Sequence, residues 1–489
     1  MDFLDPNKKR AHNIRLFIGY FLVGIALAFG SLILLLQAYG YDLNRHTGKI
    51  IQNGLVFVSA HPAGANVILD GTPKGRTDLK LTVPAGPYTI ALTQPGYRTW
   101  QRTFTLEGGT IEQLVYPFLF PTKLVTKDIQ LYGDAPVFAT QSPDQHWLLV
   151  AQPGSQSSFD MFDLTSPSTP PTIINMPNDL LTSLPGDQSL ATVEWSTDNR
   201  HVLLKHSYSG GTEFIMLDRQ TPEASFNINK LMNVNPSEVA LQNKRYDQLY
   251  LYDGSSKNLQ TADVKTKQVN TILSKVIGFK AYGTNTVLYV ADDSQTPGKN
   301  AVRILDGKQD YLLHYYPATA QYLLNMTGYG GHIYTAVAPE TDGTVYIYKD
   351  ALSDVKQAPS QQPSPFTTLK LDQTAFVSFS NNARFIAAQS GSRFAVYDAE
   401  TDRRFYYSLK DQVSQTQQAT WMDGHRLLLT LGGKIHVMDF DGTNQQTLSA
   451  SQPTFDAYFD SGYTQLFNIA PSVQVPGHYA LTETNLIAK

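Results

Sequence analysis

The chain has 489 residues, a net charge of -4 and no cysteine, which excludes disulfides, thiolate metal sites and a cysteine nucleophile. Its length suits roughly two to four domains. Charged residues make up 16% against the roughly 25% of typical soluble proteins, and 27 Tyr and 24 Phe take up part of the difference, a usage that favours strands; no Lys/Arg stripe points to nucleic acid.

Residues 1–15 read as a basic cytoplasmic tail carrying Lys8, Lys9, Arg10 and Arg15. From Leu16 to Leu36 there is no charge, and at the helical rise this run covers roughly 30 Å, the thickness of a bilayer core. Residues 16–38 are therefore expected to form a transmembrane helix, with the lipid bilayer as a first partner. The basic flank predicts a cytoplasmic N-terminus and an extracytoplasmic remainder. Ala38 and Gly40 leave a cleaved signal peptide as the alternative, although signal cores are shorter, about 7 to 15 residues. Residues 39–53 read as a juxtamembrane linker.

Residues 54–121 alternate short β-branched and aromatic runs with Gly/Pro turns, the pattern of about six or seven short strands. Val67 and Leu69 lead into Asp70-Gly71, a strand entering a tight turn. His61-Pro62-Ala63-Gly64-Ala65, Asp70-Gly71, Pro84-Ala85-Gly86-Pro87-Tyr88 and Gly96-Tyr97 follow one another in the order of the PEGA domain, which this segment resembles. It departs from that family at Ala63, where the name-giving Glu would stand, and at Asp78, where Pro often stands. The resemblance implies a small β-sandwich in a prokaryotic envelope protein, with a protein or wall polymer as ligand. Plain turn chemistry accounts for most of the Gly and Pro positions.

Residues 122–489 repeat a unit of an apolar strand, a polar turn, a second strand and a third strand ending near Asp. The clearest copies run from Val193 to Asp218, from Val377 to Asp398 and from Trp421 to Asp439. Weaker copies turn at Ser142 to Asp144, Asn243 to Asp247, Gly283 to Asn285, Gly328 to Gly331 and Asp460 to Gly462. Eight copies at about 45 residues apiece predict a β-propeller of eight blades, or seven if the two irregular copies between Gly283 and Gly331 are misread. Leu124 to Leu131 is expected to add the outer strand to a last blade built from Phe455 to Leu486. The Ser142-Pro143-Asp144 turn and the strand ending Asp439 to Gly442 resemble TolB-type and WD-type propellers, a likeness of architecture rather than activity. Residues 152–190 and 351–367, rich in Pro, Ser and Gln, read as long inter-strand loops, either linkers or a binding lid. The expected fold class is thus all-β apart from one N-terminal transmembrane helix: a small PEGA-like β-sandwich plus a β-propeller.

No nucleophile elbow, zinc-binding helix or phosphate-binding loop occurs. His201, His332, His425 and His436 stand singly on strands or turns. Asp439, Asp441 and Gly442 start like a calcium loop but lack its terminal Glu, so a turn is the better reading. Trp195, Trp421 and Phe379 occupy equivalent places and are expected to pack between blades. No catalytic, cofactor-binding or metal residue is assigned. The leading expectation is a membrane-anchored envelope protein whose propeller binds a protein or cell-wall polymer, with no nucleic acid partner. The alternatives are a lyase or hydrolase with its active site in the propeller funnel, and the ectodomain of a sensor acting with a partner.

Overall fold

The computed structural model describes residues 6–38, 40–43, 50–292 and 296–488. It divides into two compact units, residues 1–123 with 487–489, and residues 124–486.

Unit 1 opens with helix α1, Pro6–Ala38. Its apolar side chains face outward on every side; Phe17, Tyr20 and Leu34 are 70%, 74% and 68% exposed. A helix that buries none of its apolar surface is not a core helix, and from Lys9 to Ala38 it is long and apolar enough to cross a bilayer. It is a candidate membrane anchor.

The rest of unit 1 is β. Ile50–Val58 pairs antiparallel with Tyr41–Leu43 and Leu79–Pro84 and parallel with Ile111–Leu114. A second sheet runs Thr72–Arg76, Asn66–Leu69, Gly86–Thr93, Trp100–Leu106. Strand structure thus begins inside 39–53, the stretch read as a linker, while residues 39 and 44–49 lie outside the described residues. Alternation drives the packing: Trp100, Arg102, Phe104 and Leu106 point inward and the residues between them outward. The inward Arg102 donates to the Tyr116 hydroxyl, which keeps a buried cation hydrogen-bonded. At the Asp70-Gly71 turn both residues have positive φ, 47° and 76°, as a two-residue hairpin requires, and Asp70 Oδ1 accepts the Thr89 N–H at 2.8 Å. The backbone N–H of Ala488 donates to the Tyr97 hydroxyl at 2.9 Å, so the Gly96-Tyr97 turn holds the end of the chain.

Among the described residues, unit 2 carries eight four-stranded antiparallel sheets, each a meander consistent with a propeller blade. The first seven span Ala139–Asn175, Ser189–Asn227, Glu238–Leu273, Val276–Pro317, Tyr322–Lys370, Phe376–Ser408 and Thr420–Ala450. In the eighth, Tyr479–Asn485 pairs with Val125–Tyr132, so the fourth strand comes from the start of the unit. Neighbouring sheets share apolar clusters. Leu149 and Met161 of the first sheet pack with Val202 and Ile215 of the second, and Val150 and Phe162 of the first with Phe467 and Leu481 of the eighth.

The Asp at the end of many third strands has a mechanical role. Asp398, 2% exposed, accepts Arg384 Nε and Nη2 at 2.8 and 2.7 Å from the start of the second strand, and caps the following turn through the Glu400 N–H and the Thr401 hydroxyl. Asp218 does the same with Arg200, Gln220 and Thr221. A buried carboxylate so fully bonded pins strand ends that packing alone leaves free to slide.

Three expectations need correcting. The fold is not all-β beyond α1: helix α2, Ile228–Met232, and helix α3, Ala351–Gln357, interrupt it. Asn227 caps α2 by accepting the Lys230 N–H, and Asn233 ends it in the left-handed region; α3 forms because Ala351 and Val355, one turn apart, bury together. Residues 152–190 are not one loop, since Ser158–Asp163 and Thr172–Asn175 are the third and fourth strands of the first sheet. The prolines at 167, 170 and 171 lie in the turn between those strands, where no ladder N–H is needed. Residues 351–367 likewise hold α3 and the start of the strand Thr367–Lys370.

Candidate functional site

The segment Leu409 to Ala419 joins the sixth sheet to the seventh and is fastened from beneath. Val413 and Ala419 are buried. Gln389, 3% exposed, donates to the carbonyls of Gly391 and Gln417 at 3.1 and 2.9 Å and accepts the Ala419 N–H at 2.7 Å. Ser392 Oγ accepts the Val413 N–H, and Gln417 donates to the Thr430 carbonyl. Gly391 is required here: its φ is +56°, and a Cβ would lie 2.9 Å from the Val413 carbonyl oxygen. With its inner side fixed, the segment turns Gln412, Ser414, Thr416 and Gln418 to solvent.

A cleft opens on each side of it. The first, about 800 Å³, is lined by Gln415, by Tyr322 from the first strand of the fifth sheet, by Glu340 and Asp342 from a turn of that sheet, and by Asp372 and Gln373 from the next linker. Asp342 accepts the Tyr346 hydroxyl at 2.7 Å, which with burial holds that phenol up at about 12. The second, about 770 Å³, is lined by Gln412, Ser414, Thr416, Gln417 and Gln418, by Leu428 to Gly432 of the seventh sheet, and by Pro453 to Ala457. Both volumes fall in the range of ligand pockets. Among the described residues no Lys, Arg or His lines either cleft. Arg393 approaches the first, but its guanidinium donates to the Asp372 backbone carbonyl and the Ser390 hydroxyl.

Asp456, Ala457 and Thr420 of the second cleft also line a chamber of about 500 Å³ framed by the first strands of the seventh, eighth, first and second sheets. Asp456 is open to solvent yet crowded, and the loss of bulk water raises its pKa above the usual carboxylate range. Crowding by neighbouring strands likewise raises Glu238 and lowers Lys280, both exposed, on the first strands of the third and fourth sheets. None of the described histidines lies on a first strand.

Of the residues singled out in the sequence, Trp421 also lines this chamber and the others fall elsewhere. Trp195 donates through Nε1 to the Thr140 hydroxyl at 2.9 Å, and Trp421 to the Ser378 hydroxyl at 3.0 Å, in each case tying one first strand to that of the preceding sheet. Phe379 packs against the cluster between the fifth and sixth sheets. His201 stacks on Tyr246 and faces Asp198 at 2.6 Å; His332 faces Asp350 at 2.5 Å; His436 meets the Thr447 hydroxyl at 3.4 Å. Burial, with the charge of Arg426, pushes His425 down to about 4. Asp439 accepts Asn444 Nδ2, and Asp441 accepts the Thr443 N–H and hydroxyl, a hydrogen-bonded turn. The clefts escaped sequence reasoning. Their one legible signal was the amide-rich run Gln412 to Gln418 between two clear strand repeats.

Residues 53–116 match the PEGA domain family. The segment described above as two small sheets is therefore similar to that domain over nearly its whole length. No curated protein matches the sequence. Among solved structures, the chain is similar to one described as a eukaryotic initiation factor, at 9% identity and TM-score 0.43, covering 74% of this chain and 98% of that one. It is also similar to an oligogalacturonate lyase in complex with manganese, at 11% identity and TM-score 0.37, covering 74% and 99%. A third is the tricorn protease, at 12% identity and TM-score 0.36, covering 78% and 41%.

Proposed function

We propose that this chain is a single-pass envelope protein, held by α1 with its N-terminus in the cytoplasm, whose PEGA-like domain leads to a closed eight-bladed propeller of TolB or WD type that binds a protein or cell-wall polymer. The observation that carries the reading is α1, an apolar helix with no buried face, attached to a chain that is otherwise mostly β and rich in solvent-facing turns. Eight meanders, with the strand Val125–Tyr132 completing the last, support the closed ring. An anchored binder searches a surface rather than a volume, which raises its effective concentration near envelope partners. Protease shaving of intact cells, with tags at both ends, tests the topology: the C-terminal tag is expected to be lost and the N-terminal tag to survive on a membrane-bound stub. Where an outer layer bars the protease, spheroplasts are used. In-cell crosslinking against a control bearing only α1 tests the binding role, and recovery of nothing above that control would sink it.

A second reading, an enzyme, draws on Asp456, Glu238 and Lys280, since groups shifted by burial cluster at active sites. Among the described residues no histidine joins them on the first strands, and no hydrogen bond links the three.

A further inference from the structure

We propose that the two clefts flanking residues 412–418 form one binding face for a neutral, hydroxyl-rich polymer, that is, a glycan strand. This rests on the envelope-binding reading above and names the ligand class for it.

The argument is one of matching donors and acceptors. A phosphate-bearing or uronic polymer is held best by cations, and among the described residues no Lys, Arg or His lines either cleft, whereas Glu340, Asp342, Asp372 and Asp456 do. Anionic ligands would therefore meet repulsion. A purely cationic ligand needs acceptors alone. The lining is instead dominated by groups that both donate and accept: six glutamines, among them Gln321, Gln373, Gln412 and Gln418, together with Ser and Thr hydroxyls. A sugar hydroxyl also donates and accepts, and amide and carboxylate side chains satisfy it in either sense. Among the described residues, the side chains of Gln373, Gln412 and Gln418 are spent on no hydrogen bond. Tyr322 is anchored, its hydroxyl donating to the Pro317 carbonyl at 2.8 Å, and it lines the first cleft half-buried, with a ring to offer to the apolar face of a pyranose. The fastening of residues 409–419 matters as well, because a pre-ordered segment loses little entropy when a ligand arrives. Two pockets side by side along one segment suit a chain molecule better than a compact one.

The test uses the full chain in detergent micelles against immobilised neutral oligomers of glucose, N-acetylglucosamine, galactose and mannose, a galacturonate oligomer and a Lys-rich peptide. At least one neutral oligomer is expected to bind, with the double variant Gln373→Ala, Gln412→Ala weakening it about tenfold or more. Gln268→Ala, on the exposed fourth strand of the third sheet, is expected to leave binding unchanged. Thermal unfolding of each variant shows that it is folded. The proposal is overturned if no neutral oligomer binds at millimolar concentration, if only the galacturonate or the peptide binds, or if binding survives the double substitution. A protein recovered by in-cell crosslinking alongside any of these results would leave the envelope-binding reading standing and remove only the glycan.

Discussion

His425 shows how one half-buried side chain, enclosed by aromatic rings, makes the molecule sensitive to acid. Its ring lies 5.5 Å from that of Phe385 and 6.4 Å from that of Phe440, and burial pushes its pKa from the ordinary 6.5 to about 4. As pH falls from 6.5 towards 4 the unfolded chain takes up this proton and the folded chain does not, so stability declines across that window and the loss is complete below about 4. At pH 5 the loss from this residue is roughly 2 kcal/mol. Denaturant unfolding of the full chain in detergent at pH 7 and pH 5 checks it: His425→Phe is expected to lose less stability than the wild type between the two pH values by about that amount. Equal losses would mean that the ring stays solvated. None of this was legible in the sequence, where His425 was one histidine after a Gly, because the burial comes from Phe385, which opens a strand of the sixth sheet, and Phe440, in the turn after the third strand of the seventh.

At the scale of the element, the segment 409–419 depends on one amide. Gln389 → Ala would remove two donated bonds and one accepted bond that hold Gly391, Gln417 and Ala419. The expected outcome is faster hydrogen exchange confined to 409–419 and a stability loss of about 1 to 3 kcal/mol, the cost of leaving buried backbone groups unpaired. Exchange unchanged in that segment would show that Ser392 and Val413 suffice to hold it. The sequence was informative about strands and silent about this segment for the same reason. Strands carry a period-two apolar pattern, whereas a linker held by a glutamine two strands away carries no local pattern. Similarly, Phe159 and Met161 are buried strand residues whose signal was masked by the prolines and serines of the neighbouring turns.

Over the whole molecule, the repeat was the most legible feature. Each of the five turns named for the weaker copies, from Ser142 to Asp144 through Asp460 to Gly462, falls at the junction of the first and second strands of a sheet. Gly, Asn and Asp mark such turns because the backbone there takes positive φ, as at Asn199, Asn243, Gly283 and Gly330. The weak point of the unit is its eighth sheet, whose outer strand is Val125–Tyr132. Deleting residues 125–132 from the full chain would leave Tyr479–Asn485 as an open edge and expose Phe467 and Leu481 of the shared cluster. Such a deletion is expected to yield aggregated protein, while deletion of residues 2–8 leaves unit 2 folded; circular dichroism and size-exclusion chromatography of both read the outcome. A monomeric, cooperatively unfolding deletion would mean that the eighth sheet is dispensable.

That same pairing sets a clock on biosynthesis. Val125–Tyr132 leaves the ribosome roughly 350 residues ahead of its partner Tyr479–Asn485. At roughly 5–20 residues per second the wait is on the order of 20 to 70 s. Through that interval the nascent molecule carries a strand with no mate and a growing set of sheets with no seam, so whatever shelters the newborn chain must do so until Tyr479–Asn485 emerges.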